Sequence, residues 1–425
     1  MKYLPMKKYA IILLLLIPEL AFASSYYIDT RLAAQVRGNA LAEKEYPFTT
    51  YLDTGLKELP KDGTFDVSLK NSRTMRTGSD SNDFDLYQAV FRTQNLGGML
   101  DISAGRQFIS PGFHAYLMDG LNAAVGKDDW PILVKFFGGV PRYTETGDFH
   151  GTTGLVTGTA IEMQMFERMN TRLSAVYDKL DIHNNDWKDN DTVLVGMSHS
   201  QIFSAKLEPT LYGTMEYDTA GKIVNAGILG FSIKPHRRVY WNIEGGHHEI
   251  NRDWNRTSIF SLFATGPLHQ GRSEVSITLL EEKGAFKDVV LTGGYAYQRL
   301  KISSSVSENG HLANGGLGFH IIPLRLDTNL AYALYDSFGG RAHDVSVTLH
   351  DEPIDPLVVD AGANFTKYFK VTNDNDTAIS AFLEAGIKII KRLTFSANGE
   401  YLRNNPFDKE FRVMARLGYS LEGSI

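Results

Sequence analysis

The chain contains no cysteine in its 425 residues. That absence excludes disulfides, thiolate zinc sites, iron–sulfur clusters and haem attached through a C-x-x-C-H motif. Nor does any segment reach the roughly 18 apolar residues that a membrane-spanning helix needs. No charge sign dominates either: 43 Lys and Arg stand against 49 Asp and Glu, a net charge of −6, which argues against nucleic acid as a partner.

What the chain does have is alternation. Over residues 391–421, Leu393, Phe395, Ala397, Gly399 and Tyr401 oppose Thr394, Ser396, Asn398 and Glu400, and after a polar break Phe411, Val413, Ala415, Leu417, Tyr419 and Leu421 oppose Arg412, Met414, Arg416, Gly418 and Ser420. Period-two alternation sends successive side chains to opposite faces of a strand. Runs of about 10 residues suit strands crossing a bilayer at a tilt. The pattern recurs hairpin after hairpin with no linker or low-complexity tract between residues 64 and 421. Aromatics make up 11% of the chain, many near the ends of these runs, where interfacial girdles belong.

At the amino terminus Lys2, Lys7 and Lys8 precede an apolar run at residues 10–17, closed by Pro18 and followed by Ala21-Phe22-Ala23. This order of basic, apolar and small residues predicts a secretory signal peptide over residues 1–23, for export through the Sec pathway. Residues 24–63 are open between an extra hairpin and a lumenal or periplasmic segment. Residues 64–425 are predicted to form the barrel. The expected architecture is all-β: a transmembrane antiparallel β-barrel of about 22 strands, with 18–24 as the range. Sixteen strands are counted from Thr171 onward and six upstream.

Connections alternate in kind. Short ones fall near Met169-Asn170, Phe203-Ser204, Pro235-His236, Pro267, Leu300, Pro323, Pro353 and Ile390-Lys391. Longer polar ones span residues 183–191, 249–256, 336–343, 371–376 and 403–409. Outer-membrane barrels have short periplasmic turns and longer extracellular loops, which orients the chain in the outer membrane of a bacterial cell.

Gly105-Arg106-Gln107 and Asp119-Gly120 resemble a motif of bacterial outer-membrane porin-like barrels of the alginate-export and substrate-specific porin type. The match spans residues 99–125, and the resemblance implies a class of barrel rather than a substrate. Such barrels often end in Phe, whereas this chain ends in Ile425. Arg106 and Asp119 fall on the apolar phase of their runs and face each other in a hairpin centred near Gly112-Phe113. An opposite-charge cross-strand pair at the outer rim accounts for both exceptions. The alternative role for the pair is contact with a ligand or lipid headgroups.

The opposite phase supplies lumen-lining candidates: Arg238, Glu244, Arg325, Asp327, Glu384, Lys388, Arg392, Glu400, Arg412 and Arg416. With Glu422 counted beside them, six basic residues stand against five acidic ones, so no sign dominates. Arg392, Arg412 and Arg416 form either a local basic ladder or charges paired with Glu384 and Glu400. The Gly-rich stretch beginning at Gly138-Gly139 is read as a loop able to fold into the channel, with Arg142, Glu145, Asp148 and His150 as constriction candidates. No metal or cofactor is assigned: His247 and His248 are adjacent on a strand and point to opposite faces. No catalytic set is assigned either, Ser198-His199-Ser200 lacking supporting spacing.

A barrel this wide without a plug domain implies one of two functions. The first is a channel for passage or export of polar or acidic solutes. The second is a sheath around a lumenal protein such as a multihaem cytochrome, whose redox centres belong to the partner. Outer-membrane lipid and lipopolysaccharide are the other expected partners.

Overall fold

Alternation this sustained leaves each strand with one apolar and one polar face. A row of such strands joined edge to edge buries neither face on itself; it satisfies its backbone groups by closing into a ring. The computed structural model describes residues 25–424 apart from 39–43, 77–78, 112–114, 128, 145–148, 152–153, 167, 180–190, 205–206, 250–266, 302–305, 338–339, 370–374 and 405–408. The expected signal peptide lies outside the described residues.

The strands are β1 (Ser25–Gly38), β2 (Lys44–Leu59), β3 (Gly63–Arg76), β4 (Ser79–Leu96), β5 (Leu100–Ile109), β6 (Tyr116–Val125), β7 (Ile132–Thr144) and β8 (Phe149–Gly151). They continue as β9 (Leu155–Met165), β10 (Met169–Lys179), β11 (Asp191–Ile202), β12 (Thr210–Asp218), β13 (Ile223–His236), β14 (Val239–Glu249), β15 (Pro267–Lys283) and β16 (Phe286–Lys301). The last are β17 (Ser307–Ile321), β18 (Leu326–Ser337), β19 (Gly340–Ile354), β20 (Leu357–Phe369), β21 (Asn375–Ile390), β22 (Leu393–Arg403) and β23 (Glu410–Ser424).

Each strand is antiparallel to its neighbour. The short β8 pairs only with the end of β7, while β7 pairs onward with β9. The first strand meets the last over their whole length, from Ser25↔Ser424 to Gly38↔Phe411. The result is a closed 22-strand antiparallel barrel. Both ends of the described chain lie on one rim, together with tight connections such as 60–62, 97–99, 237–238, 284–285, 355–356 and 391–392. The opposite rim carries the strand ends that flank the longer connections, Lys179 and Asp191, and Glu249 and Pro267, among them.

The two phases separate as the sequence predicts. Leu229, Leu383 and Val413 are 57–63% exposed on the outer face, whereas Asn242 and Glu244 are 7% exposed on the inner one. Outer aromatics gather toward the rims. Tyr295 and Tyr332 place their hydroxyls 2.6 and 2.7 Å from Nδ1 of His311 and His343 near the long-connection rim. Phe286 and Phe319 pack edge to face at the short-turn rim.

Several expectations change. Residues 25–59 form the first hairpin of the ring, so the barrel starts before residue 64. From β10 to the end there are fourteen strands, not sixteen, and eight ring strands precede them. Pro267 and Leu300 are not short turns: both sit at the long-connection ends of β15 and β16, whose actual turn is Gly284-Ala285. Glu281, Glu282 and Lys283 are the end of a 17-residue strand. Residues 336–343 likewise hold little loop, since Asp336 pairs with Arg341 and Ser337 with Gly340.

Candidate functional site

The inner wall is built from the polar phase, and its charges neutralise one another across adjacent strands. Glu244 on β14 accepts from Arg272 on β15 at 3.0 Å and from the Tyr212 hydroxyl on β12 at 3.1 Å. Asp327 on β18 lies 2.8 Å from His320 Nδ1, and Asp360 on β20 lies 2.7 Å from His350 Nδ1. By register these four residues and Glu384 form one row, His320↔Asp327↔His350↔Asp360↔Glu384, across β17 to β21. Glu384 in turn accepts from Arg416 Nη1 at 3.1 Å.

At the seam of the barrel Arg37 and Arg412 are direct cross-strand neighbours on β1 and β23, a repulsive pairing on its own. Glu410 lies between them, 3.5 Å from Arg37 and 2.7 Å from Arg412, and Glu400 lies 3.5 Å from Arg412. The sequence reading missed the other side of the wall. There Asp66 accepts from Tyr27 at 2.8 Å and from Arg92, while Glu162 holds Lys135 at 2.9 Å and Arg172 at 3.0 Å.

Seven of the ten lumen candidates lie on inward-facing strand positions: Glu244, Asp327, Glu384, Lys388, Glu400, Arg412 and Arg416. The other three occupy turns at the short-turn rim. Arg238 donates to Glu281 at 3.1 Å, Arg325 follows the 3-10 turn Ile322–Leu324 at φ 50°, and Arg392 reaches the Glu422 carbonyl at 3.5 Å. A continuous basic ladder therefore does not form: Arg412 and Arg416 are held by glutamates, and Arg392 belongs to the mouth.

The segment that thickens the wall is also a different one. Gly138-Gly139 is no loop; it is the middle of β7, where Gly120 and Gly139 pair. A Cβ at Gly120 would stand 2.2 Å from the Gly138 carbonyl oxygen, so glycine here permits close approach of two strands. Instead Pro111, just after β5, and Tyr116, the first residue of β6, line a small cavity with Ser174, Val176, Leu194, Gly196 and Glu216 on the inner faces of β10 to β12. Tyr116, Met118, Phe137, Val156, Val176 and Leu194 form a buried apolar patch there. Glu145 and Asp148 lie outside the described residues, and His150 is placed only by its backbone pairing with Tyr143.

Arg142 meets the rim pair. Arg106 Nε and Nη2 bind the two oxygens of Asp119 at 2.6 and 2.9 Å, in the register the sequence predicted, and Arg106 Nη1 donates to the Leu86 carbonyl at 2.9 Å. Arg142 Nε adds a bond to Asp119 Oδ2 at 2.7 Å. All three occupy the outward phase of β5, β6 and β7, in line with Phe108, Leu121 and Val140.

His199 points outward, 2.8 Å from the Thr171 hydroxyl, while Ser198 and Ser200 take the inward phase. His247 meets His269 across the β14–β15 pair rather than its sequence neighbour His248. Among the described residues no three His, Cys, Asp or Glu side chains converge in a metal-binding group.

No protein-family model and no curated protein matches the chain. Similar solved structures include OpdQ of Pseudomonas aeruginosa, at 9% identity and a TM-score of 0.46 over 94% of this chain and 99% of that one. OpdK of the same organism, solved with vanillate, gives 9% identity and 0.47 over 94% and 99%. OccAB4 of Acinetobacter baumannii gives 9% and 0.47 over 94% and 98%.

Proposed function

We propose that this protein is an outer-membrane channel that passes polar solutes through its lumen. One observation carries the reading: a ring of antiparallel strands closes on itself with its apolar phase outside and its charged, mutually paired phase inside. An apolar outer band suits lipid, and a polar inner face suits water and hydrated solutes. The short-turn rim faces the periplasm and the longer connections face outward, after export directed by residues 1–23. Lipid and lipopolysaccharide contact the outer wall.

Acidic solutes are the favoured cargo among polar ones. Arg238, Arg325 and Arg392 belong to turns at the short-turn mouth, Arg238 paired there with Glu281, and cations at a mouth attract anions entering the pore. The passage of acidic solutes is tested by adding purified protein to a planar bilayer under a salt gradient. A steady open conductance whose reversal potential favours anions supports the reading. Conductance appearing only after a co-purifying protein is stripped away would instead make the barrel a sheath around that partner, and a cation-favouring reversal potential would refute the preference for acids.

A further inference from the structure

We propose that Arg106, Asp119 and Arg142 form a docking site for a phosphate group carried by the glycolipid of the leaflet at the long-connection rim. The inference rests on the membrane-spanning reading above and names a ligand for its outer wall. Among the described residues two guanidinium groups share one carboxylate, an excess of one positive charge. The cluster sits on the outward phase between exposed apolar side chains, Phe108 at 61% and Leu121 at 60%. A cation presented to lipid without a counter-ion is costly, and such groups in membrane proteins are found paired or reaching headgroups.

Position selects the headgroup. Arg106 lies three residues from the end of β5, Asp119 three from the start of β6 and Arg142 two from the end of β7. At about 3.3 Å per residue the cluster is within roughly 10 Å of the rim, the depth of headgroups rather than of acyl chains. Asp119 takes the Nε–Nη2 edge of Arg106 and of Arg142, and Arg106 Nη1 donates to the Leu86 carbonyl, so the edge held in place for a ligand is the Nη1–Nη2 end of Arg142. Arginine forks match the oxygens of a phosphate in pairs, which a lysine ammonium does not. The outer leaflet of a bacterial outer membrane supplies phosphorylated lipopolysaccharide at this depth. A stabilising pair needs only Arg106 and Asp119; the second arginine is what creates the anion requirement.

The test uses the mature full-length chain, delipidated in detergent, with three probes: diphosphorylated lipid A, the same lipid with its phosphates removed, and inorganic phosphate. Binding is read by native mass spectrometry. The wild type is expected to bind the phosphorylated lipid at least tenfold more tightly than the dephosphorylated one. Arg142→Gln is expected to lose that discrimination, and Arg142→Lys to keep part of it, with the folded band in cold SDS unchanged in both. Equal binding of the two lipids by the wild type overturns the proposal without any variant being needed. Full discrimination by a folded Arg142→Gln overturns it as well. Inorganic phosphate competing at the concentration of the lipid would make this a site for a soluble anion and overturn the lipid source. A barrel that conducts nothing yet still distinguishes the two lipids supports the site while refuting the channel reading.

Discussion

At the level of single residues, charge on this barrel is legible as a pattern of exceptions. Arg106 and Asp119 interrupt an apolar phase, and their spacing about one hairpin centre is enough to pair them. Arg142 could not be placed the same way, because Gly138-Gly139 reads as a flexible loop when the real reason for glycine is the close approach of β6 and β7. Substituting Gly139→Val therefore costs about 1–3 kcal/mol of barrel stability, from overpacking against the backbone of β6. Urea unfolding followed by the loss of the compact SDS band measures it, and an unchanged midpoint would show that the strands have room to part. Inside the lumen, Glu384→Gln releases Arg416 from its carboxylate partner. The reversal potential under a salt gradient is expected to move toward anion selectivity; no movement would mean that Arg416 is not exposed to the permeating ions.

Among the strands, existence and phase are readable while number and boundaries are less so. The total of about 22 agrees with the ring because two miscounts offset each other: the strands after Thr171 are overcounted by splitting the region around β15 and β16, and the hairpin of β1 and β2 is left open. The overcount has a physical cause. Strands here run to 16, 17 and 18 residues, beyond what a bilayer crossing needs, and their protruding ends carry charges that imitate loops. The closing pair β1–β23 could not be read from local pattern, since register between the first and last strands is a long-range property. Its charge network nonetheless predicts an effect: Glu410→Gln leaves Arg37 and Arg412 facing each other without their shared counter-ion. Because both arginines are partly solvated, the expected loss is about 1 kcal/mol, smaller at high salt. Unfolding at two ionic strengths checks it, and a loss that grew with salt would contradict the electrostatic cause.

For the whole molecule, the ring explains why so little conventional core is present. Among the described residues, exposed large apolar side chains lie on the outer face, most ion pairs lie on the inner one, and an apolar patch around Met118 and Phe137 thickens the wall at β6 and β7. Function follows from which side of the wall is wet, and the natural absence of cysteine makes that directly measurable. Single cysteines introduced along β18 in intact cells, as Asn329→Cys, Leu330→Cys, Ala331→Cys, Tyr332→Cys and Ala333→Cys, report the environment of successive positions through a water-soluble maleimide. The account predicts labelling at 329, 331 and 333, which share the lumenal phase with Asp327, and protection at 330 and 332. Equal labelling of both phases, or labelling at 330 and 332 alone, would contradict a water-filled barrel with its apolar face in lipid.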